Sequence, residues 1–400
     1  MNIVIQKYGG TSVANENTRN KVIEKIINRK EEGHDIVVVV SAIGRKGDPY
    51  ATDSLISLVN KEYSNKRDLD LLMSCGEIIS ATVLSNMLSR KGYRTSVLTG
   101  AQAGILTNDN FGNSEILSVK PDRIKNSLSQ GNIVIVTGFQ GVTEYGDITT
   151  LGRGGSDTSA IVLAKSLESN YVEIYTDVDG IMTADPRIVP NAKVIDSICY
   201  NELYQLAENG AKVIHPKAVE IAEKNNITIK IKNTLSQCDG TTVVTRNGLL
   251  NYDDDKIINS ITYKDNRTQI IIENNKNDNT INNLMKIFTE FNISIDLINF
   301  SQDTNLFTID DSDITIAEKI LNDNEFIYSI NRDCCKLSLI GHKMKGIPGV
   351  MSRIVNTLYN ENIKILQTSD SHATIWVLVK TKDATNAIRA LHKEFNLGEK

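Results

Sequence analysis

From residue 3 to about residue 245, short runs rich in Val and Ile alternate with longer stretches of helical, amphipathic pattern. The apolar runs are Ile3–Ile5, Ile36–Val40, Ile133–Thr137, Tyr171–Thr176 and Ile227–Ile231. Between them lie Asn17–Lys30, Gly76–Arg90, Ser156–Leu167 and Ala218–Asn225. A strand that is apolar on both faces must be covered on both, and helices between such strands are the usual crossovers of a parallel sheet. The expected fold is therefore α/β, with a mainly parallel central sheet between helical layers. Ligands of such sheets bind beyond the carboxyl ends of the strands, so the turns that follow strands carry the functional information.

The densest of these turns is Thr149–Thr158, Thr-Thr-Leu-Gly-Arg-Gly-Gly-Ser-Asp-Thr, which runs straight into Ala160-Ile161-Val162-Leu163-Ala164. Ser156 and Asp157 occupy the start of a helix, where backbone N–H groups and the positive end of the helix dipole face outward. Gly154 and Gly155 allow close backbone approach, and Arg153 adds a planar cation for a carboxylate or phosphate. A second glycine turn, Lys7-Tyr8-Gly9-Gly10-Thr11-Ser12, follows the first strand and places a lysine at its mouth. Neither turn has the spacing of a P-loop or of a dinucleotide fingerprint. Cys75-Gly76-Glu77 opens a helix, and polar turns occur at Thr176-Asp177-Val178-Asp179-Gly180, Asp185-Pro186-Arg187 and Gly210-Ala211-Lys212-Val213. Each turn by itself is ordinary. His215, beside Pro216, reads as a turn residue rather than a base.

Five of these segments, beginning at Lys7, Leu151, Thr176, Asp185 and Gly210, stand in the order and spacing of aspartate kinases, and the chain resembles that family over essentially its whole length. The resemblance implies the amino-acid-kinase three-layer sandwich over residues 1–245. It also implies transfer of the γ-phosphoryl of ATP to the β-carboxylate of L-aspartate. Such a carboxylate is already ionised at neutral pH, so no general base is needed, and catalysis rests on positioning and charge neutralisation. By resemblance, Lys7 and Asp157 are catalytic, with Lys7 bridging the phosphates and Asp157 holding that lysine. The nucleotide would be bound by Lys7, Gly9, Gly10, Thr176, Asp177, Met182, Arg187 and Lys212. Met182 stands where many relatives have Tyr. The substrate side would comprise Ser41, Thr52, Glu77, Phe139, Arg153 and Ser156. Within it, Arg153 faces the α-carboxylate and Glu77 the α-ammonium. Mg²⁺ would arrive with ATP, held by phosphate oxygens and water, with no protein metal ligand assigned.

Residues 246–262 read as a polar, acidic linker around Asn247-Gly248 and Asp253-Asp254-Asp255. Beyond it the chain repeats itself at a shift of 70 residues. Leu284, Phe288, Asn292 and Ile293 correspond to Ile354, Leu358, Asn362 and Ile363, while Phe307, Ile309, Ala317 and Leu321 correspond to Val377, Val379, Ala387 and Leu391. Each copy reads as a strand (Gln269–Ile272, Lys336–Ile340), a helix, a turn at Asn, two strands, a helix and a closing strand, a ferredoxin-like βαββαβ unit. Residues 263–332 and 333–400 thus resemble tandem ACT domains, which bind small molecules, often amino acids, at paired interfaces. The second copy carries Gly346-Ile347-Pro348-Gly349-Val350 before its first helix, matching the ACT effector loop; the first has Asn277-Asp278-Asn279-Thr280-Ile281 instead. Pro348, Gly349, Val350, Gln367 and Asp370 are the effector-side candidates, and shared ACT interfaces imply at least a homodimer. The Gln367–His372 strand departs from the Thr-Ser-Glu-Ile type common in relatives, so lysine is not assumed as the effector, and lysine, threonine, diaminopimelate and a lysine–threonine pair stay open.

A net charge of −5 with both signs interspersed, and no basic block, argues against nucleic acid as a partner. The longest apolar run, Ile36–Ile43, is too short to cross a bilayer. Five cysteines without C-x-x-C spacing fit reduced thiols, and the expectation is a cytoplasmic enzyme free of membrane contact. Two rivals remain: another amino-acid kinase, such as an acetylglutamate or glutamate 5-kinase, and a non-catalytic amino-acid sensor. The tandem repeats and the Ser-Asp after Arg153-Gly154-Gly155 disfavour the first. Intact Lys7, Arg153 and Asp157 disfavour the second.

Overall fold

The computed structural model describes residues 2–211, 213–245, 257–273, 279–341, 344 and 347–398. Two compact units are present. The first comprises Met1–Ile181, Val194–Glu208 and Lys212–Tyr252; the second comprises Met182–Lys193, Asn209–Ala211 and Asp253–Lys400.

In the first unit the elements run β1 (Ile3–Tyr8), α1 (Glu16–Glu31), β2 (Asp35–Val40), α2 (Thr52–Ile56), α3 (Lys66–Arg90), β3 (Thr95–Leu98), β4 (Ile105–Thr107) and β5 (Ile116–Val119). They continue with α4 (Asp122–Ser129), β6 (Ile133–Thr137), β7 (Gln140–Val142), β8 (Ile148–Thr150), α5 (Gly155–Ser166) and β9 (Tyr171–Thr176). The last are β10 (Ser197–Cys199), α6 (Tyr200–Glu208), α7 (Pro216–Lys224), β11 (Thr228–Asn233) and β12 (Thr241–Val244). Eight strands form the central sheet in the order β10-β12-β11-β9-β1-β2-β6-β3, and all neighbours are parallel except β11 with β12. A smaller sheet, β5-β4-β7-β8, stands apart from it.

Strand side chains alternate between faces. Val4 and Tyr8 of β1, with Ile36, Val38 and Val40 of β2, pack against Val22, Ile23 and Ile26 of α1 and Ala81, Leu84 and Leu88 of α3. On this face a fully buried Glu173 pairs with Arg29 at 2.5 Å and accepts from Gln6 Nε2 at 2.9 Å. The opposite set of β1, ending in Lys7, faces away from that core. The helix α5 packs on β1, β2 and β9. Asn15 opens α1 with a capping box: its side chain accepts from the Thr18 N–H and its own N–H donates to Thr18 Oγ1. By length and composition alone α3 is long and apolar enough to cross a membrane. Its Ala81, Leu84 and Leu88 are instead buried in the core, together with Asp70 and Glu77.

The second unit contains β13 (Ser260–Glu273), α8 (Asn279–Glu290), β14 (Asp296–Phe300), β15 (Thr304–Asp310), α9 (Ile314–Asp323), β16 (Tyr328–Ile340), α10 (Val350–Asn360), β17 (Gln367–Asp370), β18 (Thr374–Lys380) and α11 (Thr381–Glu394). Its six strands form one sheet, β14-β15-β13-β16-β18-β17. The repeat read from the sequence is a repeat of core positions. Leu284, Phe288, Ile293, Phe307, Ile309, Ala317 and Leu321 build one apolar cluster, and their counterparts seventy residues on build the other. Asn292 and Asn362 both take the left-handed conformation just past α8 and α10, with φ of 54° and 57°, where Asn is among the few side chains tolerated.

One expectation fails. Among the described residues no strand follows α11, so the second copy does not close on itself. Its fourth strand is the first half of β13: Ser260 to Lys264 pair antiparallel with Ile340 to Lys336, while Gln269 to Ile272 pair with Asn331 to Tyr328 in the first copy. The two long strands β13 and β16 therefore run through both copies, and Ser260–Thr262, expected in the linker, belong to the sheet. A register irregularity between Lys264 and Gln269 marks the crossing point. Of the rest of that linker, Ile257–Asn259 are described and Arg246–Lys256 lie outside the described residues.

Phe307 is fully buried with its ring edge-on to Phe288 at 5.8 Å. Phe307→Ala is expected to destabilise the second unit by about 3–5 kcal/mol. Denaturant unfolding followed by the fluorescence of Trp376, the single tryptophan, measures this.

Candidate active site

Four parallel neighbours, β9-β1-β2-β6, end on the same rim of the sheet. Their carboxyl ends deliver Thr176-Asp177, Lys7 with Gly9-Gly10, Ser41, and Gly138-Phe139. The Ser41 N–H donates to Tyr8 O at 3.1 Å and the Gly138 N–H to Val40 O at 2.9 Å, which carries the pairing one residue past the strands. A Cβ on Gly10 would stand 2.4 Å from Gly44 O, so only glycine lets the following loop cross here. A Cβ on Gly9 would meet nothing nearer than Lys7 Nζ at 3.7 Å, leaving its backbone open to a ligand.

The second glycine turn arrives from β8 and becomes the first turn of α5. Gly154 caps the helix in the left-handed conformation (φ 71°), and a Cβ there would fall 2.1 Å from His215 Cβ. His215 in turn caps α7, its Nδ1 accepting from the Lys217 N–H at 3.3 Å, and is a turn residue as expected. Ser156 and Asp157 are buried in the first turn of α5. Asp157 Oδ1 lies 2.5 Å from Lys7 Nζ, so the acid of one turn holds the cation of the other. Phe139 has φ of 71°, a strained value for an aromatic residue. Its N–H donates to Ser159 Oγ at 3.1 Å and its carbonyl accepts from the Leu151 N–H at 2.9 Å, which pins it against α5. The Arg153 side chain is exposed, with no ion pair among the described residues.

Glu77 reaches the same rim from α3. One oxygen accepts from the Ala42 N–H at 2.9 Å, while Oε2 is buried without a partner. Burial pushes its carboxyl up to about 8, against the pull of the Ala42 hydrogen bond. A buried carboxylate oxygen with no donor suits an incoming ammonium. Thr52 is the first residue of α2, which packs on α3 around Gly76.

Taken together, the rim brings two sets of backbone amides, one lysine and a buried carboxylate oxygen without a donor to the same strand ends. Residues 2–233 match the Amino acid kinase family and residues 329–393 the ACT domain. Aspartokinase 1 of Bacillus subtilis is 43% identical over 404 residues, covering 100% of both chains. The chain belongs to the aspartokinase family. A Geobacillus stearothermophilus aspartokinase is 36% identical, covering 100% of this chain and 98% of its own. Among solved structures, Escherichia coli aspartokinase III in complex with aspartate and ADP shares the fold with a TM-score of 0.79 at 24% identity, over 98% of this chain and 99% of its own.

The remaining residues expected from the aspartokinase resemblance are carried by other segments. Met182 and Arg187 are carried by Met182–Lys193, a segment that packs with the second unit. There Ala184 and Val189 join the apolar cluster around α10 and α11, and Thr183 Oγ1 lies 3.0 Å from His392 Nε2. Arg187 pairs with Asp185 at 2.6 Å. Lys212 lies outside the described residues, as does Gly346. Gly349 caps α10 with φ of 92°, Pro348 is exposed, Val350 is buried in the core, and Asp370 is exposed at the end of the edge strand β17. The Gln367 amide is engaged within the sheet, accepting from Gln269 Nε2 at 2.9 Å and donating to Leu297 O. One participant was not singled out from sequence: Arg45 reaches Asp177 Oδ2 at 2.6 Å. The Arg45-Lys46 pair directly after Gly44 was its available signal.

Glu77 also gives a stability test. Its usual value is 4.5 and its folded value about 8, so across that interval the folded protein keeps a proton that the unfolded chain releases. Stability from this group is complete below pH 4.5 and is lost as the pH rises through about 8. Glu77→Gln is expected to flatten that decline in denaturant midpoints measured across the interval.

Proposed function

We propose that the rim between the two glycine turns transfers the γ-phosphoryl of ATP to the β-carboxylate of L-aspartate, giving 4-phospho-L-aspartate and ADP. The 2.5 Å Lys7–Asp157 pair carries this reading, because it sets one cation between the two amide cradles where two anions must meet. A β-carboxylate oxygen attacks phosphorus, the bond from phosphorus to the β,γ-bridging oxygen breaks, and the electron pair leaves with ADP. No proton moves. The barrier is mutual repulsion, which Lys7 and the amides of Gly9, Gly10 and the α5 N-terminus lower by facing the charge as it spreads. The open backbone at Gly9 and the helix start at Ser156 fit a nucleotide triphosphate. Mg²⁺ arriving with the nucleotide would supply further charge neutralisation, with no protein ligand assigned to it.

Arg153 takes the α-carboxylate and Glu77 the α-ammonium, with Ser41, Thr52, Phe139 and Ser156 lining the same side. Thr176, Asp177, Met182, Arg187 and Lys212 serve the nucleotide. The product feeds lysine, threonine, methionine and diaminopimelate synthesis, and a cytoplasmic location suits ATP and the five cysteines, all of them free thiols. Escherichia coli aspartokinase III has been solved with lysine and aspartate. An amino-acid effector acting here through Pro348, Gly349, Val350, Gln367 and Asp370, in a homodimer or larger assembly, follows from the second ACT copy.

The deciding measurement is ADP release with L-aspartate as acceptor. Lys7→Ala is expected to lower kcat by about 10²-fold or more; unchanged turnover would remove the mechanism. The KM for L-aspartate should rise as the pH falls below about 8, because an ammonium needs the ionised Glu77 carboxylate, and Glu77→Gln should bind weakly at every pH. Effector inhibition by lysine, threonine or diaminopimelate should disappear in an Asp370→Ala, Gly349→Ala double variant that keeps uninhibited activity.

A further inference from the structure

Asp70 lies in the interior of α3, fully buried, and makes no ion pair among the described residues. Its carboxylate is nevertheless saturated. Oδ2 accepts from the Thr150 N–H at 2.7 Å and from the Gly112 N–H at 3.0 Å, and Oδ1 accepts from Thr150 Oγ1 at 2.7 Å. Thr150 is the last residue of β8, immediately before Leu151-Gly152-Arg153-Gly154, and its carbonyl accepts from the Ser114 N–H at 2.9 Å. Two turns along the same helix stands Glu77. A carboxylate is acceptor-only and can receive three converging donors at one point, which a buried hydroxyl cannot. Without a cation nearby, burying it is costly, so its hydrogen bonds must be well made.

From this geometry we infer that Asp70 is a positioning residue: it ties the helix that carries Glu77 to the turn that carries Arg153, Ser156 and Asp157. The inference rests on the aspartate-phosphorylating reading above and says how the two walls of that substrate pocket are kept in register. Glu77 and Arg153 would meet opposite ends of one small zwitterion, so their separation must match the ligand. No other charged side chain is hydrogen-bonded to the backbone at the end of β8 among the described residues. The neighbouring Gln140 Nε2, which donates to Ser74 O at 3.1 Å, braces α3 against β7; Gln140 is the register partner of Thr150, so this brace reaches β8 only through the β7–β8 pairing, whereas Asp70 holds Thr150 directly.

The role is geometric, and so separable from charge. In Asp70→Asn the amide oxygen can accept from both backbone N–H groups while its NH₂ donates to Thr150 Oγ1; Asp70→Ala can do neither. With the full chain, Asp70→Ala should raise the KM for L-aspartate about tenfold or more and lower kcat, leaving the KM for ATP unchanged, whereas Asp70→Asn stays within about threefold of wild type. A folded Asp70→Ala enzyme with wild-type constants overturns the inference, and so does an Asp70→Asn enzyme as impaired as the alanine variant. If Asp70→Ala does not fold, Thr150→Val, which keeps shape and removes only the hydroxyl bond, should still raise the aspartate KM selectively; an unchanged KM overturns the tether. A wild-type chain that releases no ADP with L-aspartate would defeat the functional reading itself, a different result from any of these.

Discussion

A lysine on the buried face of a central strand needs an anion beside it, and in this protein the whole rim is arranged around meeting that need. Lys7 is the last residue of β1 to point toward the α5 side, where the helix that starts just after β8 brings a carboxylate to it. Asp157 does so from the first turn of α5, where the helix dipole favours negative charge. The pair requires β1, β8 and α5 in one arrangement. It also sets the two glycine turns side by side, because each turn adjoins one partner of the pair. Partly buried and close, such a pair leaves an expensive lone charge if either partner is removed.

Charge on the other side of the sheet is handled differently. Glu173 is fully buried and shared among Arg29, Gln6 and Tyr175, which locks α1 to the strands and leaves nothing for a ligand. Glu77 is as deeply buried but keeps one oxygen unpartnered, and its proton affinity rises accordingly. Of these two glutamates, Glu173 is satisfied by the fold and Glu77 keeps an oxygen free for a partner. Hydrogen-bond accounting separates them where burial alone cannot.

The second unit shows how a repeat can be visible while its connectivity is not. The seventy-residue shift carries the same core positions into both copies because each helix must bury the same stripe against the same two strands. Pairing along β13 and β16, however, depends on residues far apart in the chain. Ser260 meets Ile340, and nothing local to either marks the other. The polar residues around Asp253 concealed the approach to a strand, beginning at Ser260, that completes the second copy.

Roles for Lys7, Glu77, Arg153 and Asp157 came from the family resemblance; what the sequence by itself determined was the alternation of buried strands and helices and the glycine turns at strand ends. These are legible because periodicity, capping and the need for φ > 0 act over a few residues. Only the tertiary structure decided which turns share a rim, that Asp70 joins α3 to β8, that Arg45 meets Asp177, and that Met182–Lys193 packs with the second unit. Each of these depends on contacts between segments far apart in the chain. A buried aspartate in a helix reads locally as a poor helix residue, and its meaning appears only when the three donors that fill it arrive from elsewhere.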